Sequence, residues 1–434
     1  MMSSPTTSID LDLHRGLSQH RLDNGLKVVL RREAALPLVA VNLWYHVGSK
    51  NERPGLTGFA HLFEHMLFQG SENVGTNEHF RQIQQVGGVA NGSTWYDRTN
   101  YYETVPAHHL DLALWLESDR MGFFLPALTQ QNLDNQRDVV MNERRQRVEN
   151  QPYGRAGETL NELVYPADHP YRWPVIGYME DIAAATLEEV RSFFSTYYTP
   201  SNAVISVVGD IDPAEALERV DAWFGGIPAG PPVPPVALPG PPAPRAEARR
   251  TVLPDDVHLS RVYLGFRAPA YGERAWYAAD LLAAVLAGGK SSPLYRDLVY
   301  ERQIAQDVGA SVGPMEAGGS FTIISTARPG VPVEELEEAL LGHLAAAAAR
   351  PPDEADFDRA RNRLLTDYYS ALQRLDTVAD QLSQFATYFD DPAAGLIEGD
   401  RYLEIAPREL MEYAAEWCPT AAPAVVAIVP RQVS

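Results

Sequence analysis

Three side chains in one short stretch could do chemistry together: His61, Glu64 and His65, in the string His61-Leu62-Phe63-Glu64-His65. At i and i+4 the two imidazoles share one face of a predicted helix a turn apart, a spacing that can chelate one Zn²⁺ at about 2.0 to 2.1 Å. Glu64 precedes the second imidazole and leans over the same face. Zinc lowers the pKa of a water it holds to about 7, and a neighbouring carboxylate can take the proton, so the triplet predicts metal-assisted hydrolysis with Glu64 as general base. The bland alternative is a helix with two histidines packed into a domain interface. Two histidines leave a catalytic zinc under-coordinated, and a carboxylate completes a known catalytic set. Spacing alone does not choose it, because Asp138, Glu143 and Glu149 all lie in the same downstream stretch.

The surroundings of the motif carry a resemblance. GLTGFAHLFEHMLFQGSENV and the following GGVANGSTWYDRTNYYETV resemble the metal helix and the next strand region of the pitrilysin/insulinase family of inverted-motif zinc peptidases, which includes mitochondrial processing peptidase. The resemblance implies a zinc endopeptidase that binds one Zn²⁺ per chain. It also implies a third ligand in a helix shaped like RDVVMNERR, which falls on Glu143, 143 − 65 = 78 residues after His65. Several relatives carry another glutamate seven residues before that ligand; here Gln136 stands there. An amide can orient the site by hydrogen bonding but adds no charge.

By the same resemblance, the stretch from Ala90 to Tyr102 is an edge strand to which a peptide substrate adds by β-augmentation, with Asn91, Gly92 and Ser93 at the contact positions. Composition alone allows an ordinary hairpin with a polar tip. Further on, AGGKSSPLYRDLVYERQIAQDVGAS resembles the region where the family places an Arg and a Tyr seven residues apart on the substrate. In register those positions are Val299 and Gln306, and neither supplies the same donor; a shift of register would offer Tyr300 or Arg302 instead. An oxyanion donor can be worth a few kcal/mol of barrier, so the chain is expected to need a partner. The expected partner is a homologous subunit without the zinc motif, in a heterodimer, with a homodimer as the alternative. The rival of another class is a non-catalytic scaffold or assembly subunit of the same family.

These residues need elements to position them. The first half opens with strands in LKVVLRRE and LVAVNLWYHVGS and a helix from about Gly58 to Phe68; the second opens with HLSRVYLGFRAP and a helix from about Arg274 to Leu286. Each half returns to a β-branched run, NAVISVVGD and AVVAIVP. This order predicts an α+β fold of two homologous halves, each with helices on a mainly antiparallel sheet. Between them, residues 227–244 hold nine prolines in eighteen positions, which excludes helix and central strand. The expected division is a zinc-binding half over 1–226, a Pro-rich linker over 227–250 and a supporting half over 251–434. The helix mirroring the metal helix, ERAWYAADLLAAVLAGG, has no histidine and a lone Asp280. His79, His108, His109 and His169 have no ligand-spaced partners and are expected on the surface or in packing. EELEEALLGHLAAAAAR reads as a surface helix.

Gly288-Gly289-Lys290-Ser291 is not a phosphate loop, because GxxxxGK[ST] needs glycine where Ala284 stands and the segment follows a helix. The chain has 434 residues, of which 45% are hydrophobic and 21% charged, and one cysteine, so disorder and disulfide stapling are excluded. The formal charge of −21 repels phosphate backbones and anionic lipid, which argues against nucleic-acid partners and would favour basic peptides. No run of 18 apolar residues could span a bilayer, and the opening MMSSPTTSIDLDLHRG has neither a basic nor an apolar leader region. The expectation is a cytoplasmic protein without membrane contact, or a periplasmic one if a leader lies upstream. The sequon Asn91-Gly92-Ser93 is then discounted.

Overall fold

The computed structural model describes residues 15–240, 243, 244 and 246–431. Six strands build the first sheet: β1 (Leu17–Arg21), β2 (Lys27–Arg32), β3 (Leu38–Tyr45), β4 (Val89–Thr94), β5 (Thr99–Pro106) and β6 (Ala203–Gly209), in the order β1-β2-β6-β3-β5-β4. Five build the second: β7 (Arg249–Asp255), β8 (Arg261–Arg267), β9 (Ala305–Val312), β10 (Ser320–Ala327) and β11 (Ala424–Pro430), in the order β7-β11-β8-β10-β9. Apart from the extra edge strand β1, the two orders are the same. In both, the late β-branched strand lies inside the sheet, parallel to one neighbour and antiparallel to the other. The α+β fold of two similar halves is as expected. The two opening strands of the first half are not partners, however, because β6 inserts between β2 and β3.

Burial explains the insertion. Every residue of β6 is buried, and a strand covered on both faces tolerates a continuous Val/Ile run without alternation. One face of the first sheet carries the half's own helices, with Val28, Leu43, Leu62, Phe63 and Leu114 in the shared core. The other face is covered by a helix from the second half, Leu375–Tyr388, whose Val378, Ala379, Leu382 and Ala386 pack on Val29, Ala40, Trp44, Val204 and Val208. The exchange is mutual. The helix Ala156–Val164 of the first half lays Ala156, Leu160 and Val164 on Tyr263, Ala424, Val426 and Ile428 of the second sheet.

A polar contact joins the halves near the edge of the first sheet. Glu316, in the β9–β10 turn, pairs with His46 at 2.7 Å and with Lys50, and Lys50 also reaches Asp97 at 3.1 Å. Of the Pro-rich stretch, the described residues 227–240, 243 and 244 form neither helix nor strand. It starts anchored, since Ile227 is buried and its carbonyl accepts from Asn24 Nδ2 at 3.0 Å. Strand β7 already begins at Arg249, within the stretch read as linker. The alanine-rich segment is the helix Val333–Ala349, which buries Leu336, Leu340 and Leu344 and turns its glutamates outward. Among the described residues no helix is long and apolar enough to cross a membrane.

Candidate metal centre

The motif lies on the helix Phe59–Met66, shorter at both ends than its apolar run suggested, with Phe59, Ala60, Leu62, Phe63 and Met66 buried. The 3.6-residue period leaves His61, Glu64 and His65 on the opposite, half-buried face. Two devices fix where this helix starts. The buried Glu52 side chain accepts from the backbone N–H groups of Gly58 at 2.8 Å and Ala60 at 2.9 Å, which satisfies donors that the first turn leaves open, while burial pushes its pKa well above the usual carboxylate range. Gly58 itself adopts φ 87°, and a side chain there would meet the Ile176 carbonyl. Asp181 in turn accepts from the Thr57 N–H at 3.0 Å and hydroxyl at 2.7 Å. None of these contacts has a local sequence signal.

Glu143 comes from the last turn of the helix Gln130–Arg144. Its Oε2 lies 3.1 Å from His65 Nε2 and 3.7 Å from His61 Nε2, and one potential ligand atom from each of the three residues falls within 4.8 Å of the others. Donors about 2.05 Å from one tetrahedral zinc stand roughly 3.3 Å apart, so the observed separations bracket what such an ion needs. Asp138 and Glu149 do not join the cluster. Burial, with His65 beside it, lowers the pKa of His61 to about 4, which leaves the neutral imidazole that a metal requires. The hydrogen bond from His65 holds Glu143 below the usual carboxylate range. Its other oxygen pairs with Arg147 at 2.6 Å, a neighbour that sequence reasoning passed over. His61 Nδ1 is buried without a partner.

Burial pushes Glu64 above its ordinary value, and a hydrogen bond from Thr94 Oγ1 to its Oε2 at 2.7 Å acts against that rise. Thr94 ends β4, and among the described residues β4 pairs only with β5 at the rim of the sheet. The stretch from Ala90 to Tyr102 is thus both a hairpin and the holder of a free strand edge. Along β4, Asn91 Oδ1 accepts from the Gly92 N–H at 2.9 Å, and Ser93 Oγ donates to Asn100 Oδ1 at 2.7 Å while receiving Arg98. A Cβ on Gly92 would crowd Phe68 and Tyr101. Gln136 is buried two helical turns before Glu143.

Other expected positions fall elsewhere. Val299 is buried in the turn of helix Tyr295–Glu301, Gln306 is exposed on β9, Tyr300 is exposed, and Asp280 is half-buried and accepts from Tyr402 Oη at 2.8 Å. His79 departs from its expected isolation. It is buried with Nε2 3.0 Å from Glu103 and 3.8 Å from Glu117, and Arg120 reaches its ring and Glu117. Its partners lie on β5 and the helix Leu110–Ala127, so no local spacing could reveal them. His169 is buried as well, whereas His108 is exposed.

Residues 27–169 match the family described as Insulinase (Peptidase family M16), and residues 184–364 match the Peptidase M16 inactive domain. The zinc protease PqqE of Helicobacter pylori is 31% identical over 402 residues, covering 91% of this chain and 89% of that protein. The uncharacterized zinc protease YmxG of Bacillus subtilis is 27% identical, over 71% of this chain and 73% of its own. A crystal structure of a protease from Helicobacter pylori superposes with a TM-score of 0.88 at 28% identity, covering 95% of this chain and 99% of that one. The periplasmic protease PqqL of Escherichia coli shares the fold at 20% identity, TM-score 0.75, with this chain spanning 96% of itself and 48% of that protein. With both domain types in order along the chain and a zinc protease related over nearly its full length, this protein belongs to the insulinase (M16) family of zinc peptidases.

Proposed function

We propose that this chain is a zinc-dependent endopeptidase acting on peptides or unfolded segments. The observation that carries the reading is the convergence of His61, His65 and Glu143 around one point, with Glu64 beside them and tied to an edge strand. His61 and His65 would hold the metal through Nε2 and Glu143 through its carboxylate, with Gln136 orienting that helix. When bound, zinc supplies a Lewis acid that polarises the scissile carbonyl and makes water a nucleophile at neutral pH. Glu64 takes the proton from that water and passes it to the leaving amine. Its raised pKa suits a group that must both accept and release a proton. The free edge of β4, at Asn91, Gly92 and Ser93, aligns the peptide backbone by strand addition, which reads main chain rather than side chains.

The division into a zinc-binding half over 1–226, a linker over 227–250 and a supporting half over 251–434 belongs to the same reading. Because the halves clasp one another through exchanged helices, a chamber for substrate lies between chains rather than between the halves of one. Val299 and Gln306, with no donor suited to a substrate carbonyl, favour a heterodimer whose homologous partner supplies the Arg and Tyr pair. The compartment in this reading is the cytoplasm, with the periplasm as the alternative if a leader lies upstream. The rival scaffold role draws on the match of residues 184–364 to a domain described as inactive.

Zinc content and peptide cleavage of the wild type against Glu64→Gln test the reading. The expected result is about one zinc per chain in both proteins and a rate lower by at least about 10²-fold in the variant. A metal-free protein, or equal cleavage by both, assigns the scaffold role instead. Division of labour has its own measurement. Cleavage by the chain alone as fast as in a mixture with a homologue bearing the Arg and Tyr pair excludes it.

A further inference from the structure

Away from the candidate metal centre, one buried cation among the described residues has no counter-ion. Arg267 ends β8 and is 5% exposed, yet among the described residues no carboxylate acts on its charge, and burial lowers its pKa. Its Nε is buried and unbonded, and the guanidinium lies over the Tyr165 ring, 4.8 Å from the centroid. A buried charge without a partner is costly, and stacking offsets only part of that cost. The one remaining polar contact is Nη2 to His169 Nε2, at 3.4 Å.

That contact is not a satisfied hydrogen bond. His169 Nδ1 accepts from the Tyr171 backbone N–H at 3.1 Å, and a backbone N–H can only donate. Burial and then Arg267 bring the His169 pKa down to about 3, so the ring is neutral and its single proton belongs on Nε2. Nε2–H and Nη2–H therefore face each other, two donors with no acceptor between them among the described residues. Both residues line a cavity of about 350 Å³ whose other walls include Val164, Pro166, Pro239 and Gly240. Glu247 also borders the cavity but forms no ion pair with Arg267.

We infer that this cavity binds an oxyanion, and specifically the terminal carboxylate of a peptide. The guanidinium fork and the imidazole N–H supply convergent donors for two carboxylate oxygens. The volume lies within the roughly 300 to 1,000 Å³ of small-molecule sites, more than a bare anion fills, and the proline, glycine and valine walls suit a small aliphatic residue behind the carboxylate. Tyr171, whose N–H sets the His169 tautomer, donates its hydroxyl to Asp97 in the β4–β5 turn. The cavity is thus wired to the hairpin that carries the free strand edge, although its ligand chemistry stands independently of peptide cleavage.

Calorimetric titration of the full chain tests this with N-acetyl-Ala-Ala as the free acid, with its C-terminal amide, and with inorganic phosphate. Expected is saturable 1:1 binding of the acid, binding of the amide weaker by at least about tenfold, and competition between phosphate and the acid. Arg267→Gln and Ala243→Trp should each weaken the acid by a similar factor. Ala243 is an exposed linker residue on the cavity wall, so its variant keeps the test valid should Arg267→Gln fail to fold. Equal binding of acid and amide, binding of phosphate but not the acid, no binding at all, or acid binding unchanged in Ala243→Trp overturns the proposal.

Discussion

Thr94 is the side chain through which the proposed substrate alignment and the proposed proton transfer meet, since it ends the edge strand β4 and donates to Glu64 at 2.7 Å. A hydrogen bond to a charged group is worth about 1.5 to 3 kcal/mol, so Thr94→Val, which keeps the shape and removes the donor, should lower kcat/KM about tenfold while zinc content is unchanged. Steady-state kinetics with metal analysis checks both halves of that statement. The residues proposed to hold an ion were legible because HxxEH is a local spacing on one helical turn and, by family resemblance, Glu143 sits in a recognisable helix. Thr94 was not, because its role depends on the β4–β5 register and on how the hairpin docks against the motif helix. Arg147 was hidden differently. An Arg four residues after a Glu is a commonplace surface pair, and only the fold makes that Glu a part of the cluster.

The helices and strands that hold these residues are themselves fixed by buried polar side chains. Glu52 accepts from two N–H groups at the start of the motif helix; Glu52→Ala should destabilise the protein by about 1 to 3 kcal/mol and weaken zinc retention, measured by denaturant midpoint and by competition with a chelator. On β5 and the helices packed near it, Glu103 and Glu117 are buried with His79 and Arg120. Burial and then Glu117 raise Glu103 well above the usual carboxylate range. The unfolded chain gives up that proton near the ordinary value while the folded chain keeps it to higher pH. Between the two the folded state binds more protons, so stability falls as pH rises through the window, by at most about 1.4 kcal/mol per pH unit. Glu103→Gln should flatten that slope in denaturant midpoints recorded across a pH series. Most of these elements could be read from hydrophobic periodicity, including both β-branched strands, whereas the edge strand was read from family resemblance. The pairing of strands could not, because β6 reaches its place between β2 and β3 only after the helices of the first half have been made.

At the scale of the whole molecule, duplication is visible in the shared strand order, and the exchange of helices joins the copies. Sequence reading separated the halves at the prolines, a local signal, whereas the apolar faces of Leu375–Tyr388 and Ala156–Val164 look like any amphipathic helix and do not name the sheet they cover. Leu382 is fully buried against the other half's sheet. Leu382→Ala should therefore cost about 2 to 5 kcal/mol and loosen the first sheet, a loss read as faster amide hydrogen exchange in β2, β3 and β6. A fragment ending within the linker should expose Val29, Ala40, Trp44, Val204 and Val208 and aggregate, which sedimentation of the fragment against the full chain will show. The same clasp imposes an order in time. A ribosome that has released residues 1–226 has delivered every proposed zinc ligand but not the cover for the sheet behind them, and that cover arrives only once residue 388 has emerged. Synthesis thus passes through a long interval in which the metal-binding half is present but unfinished, so the pace of translation and the chaperones that shield bare β-surface govern how much of this protein reaches its native state.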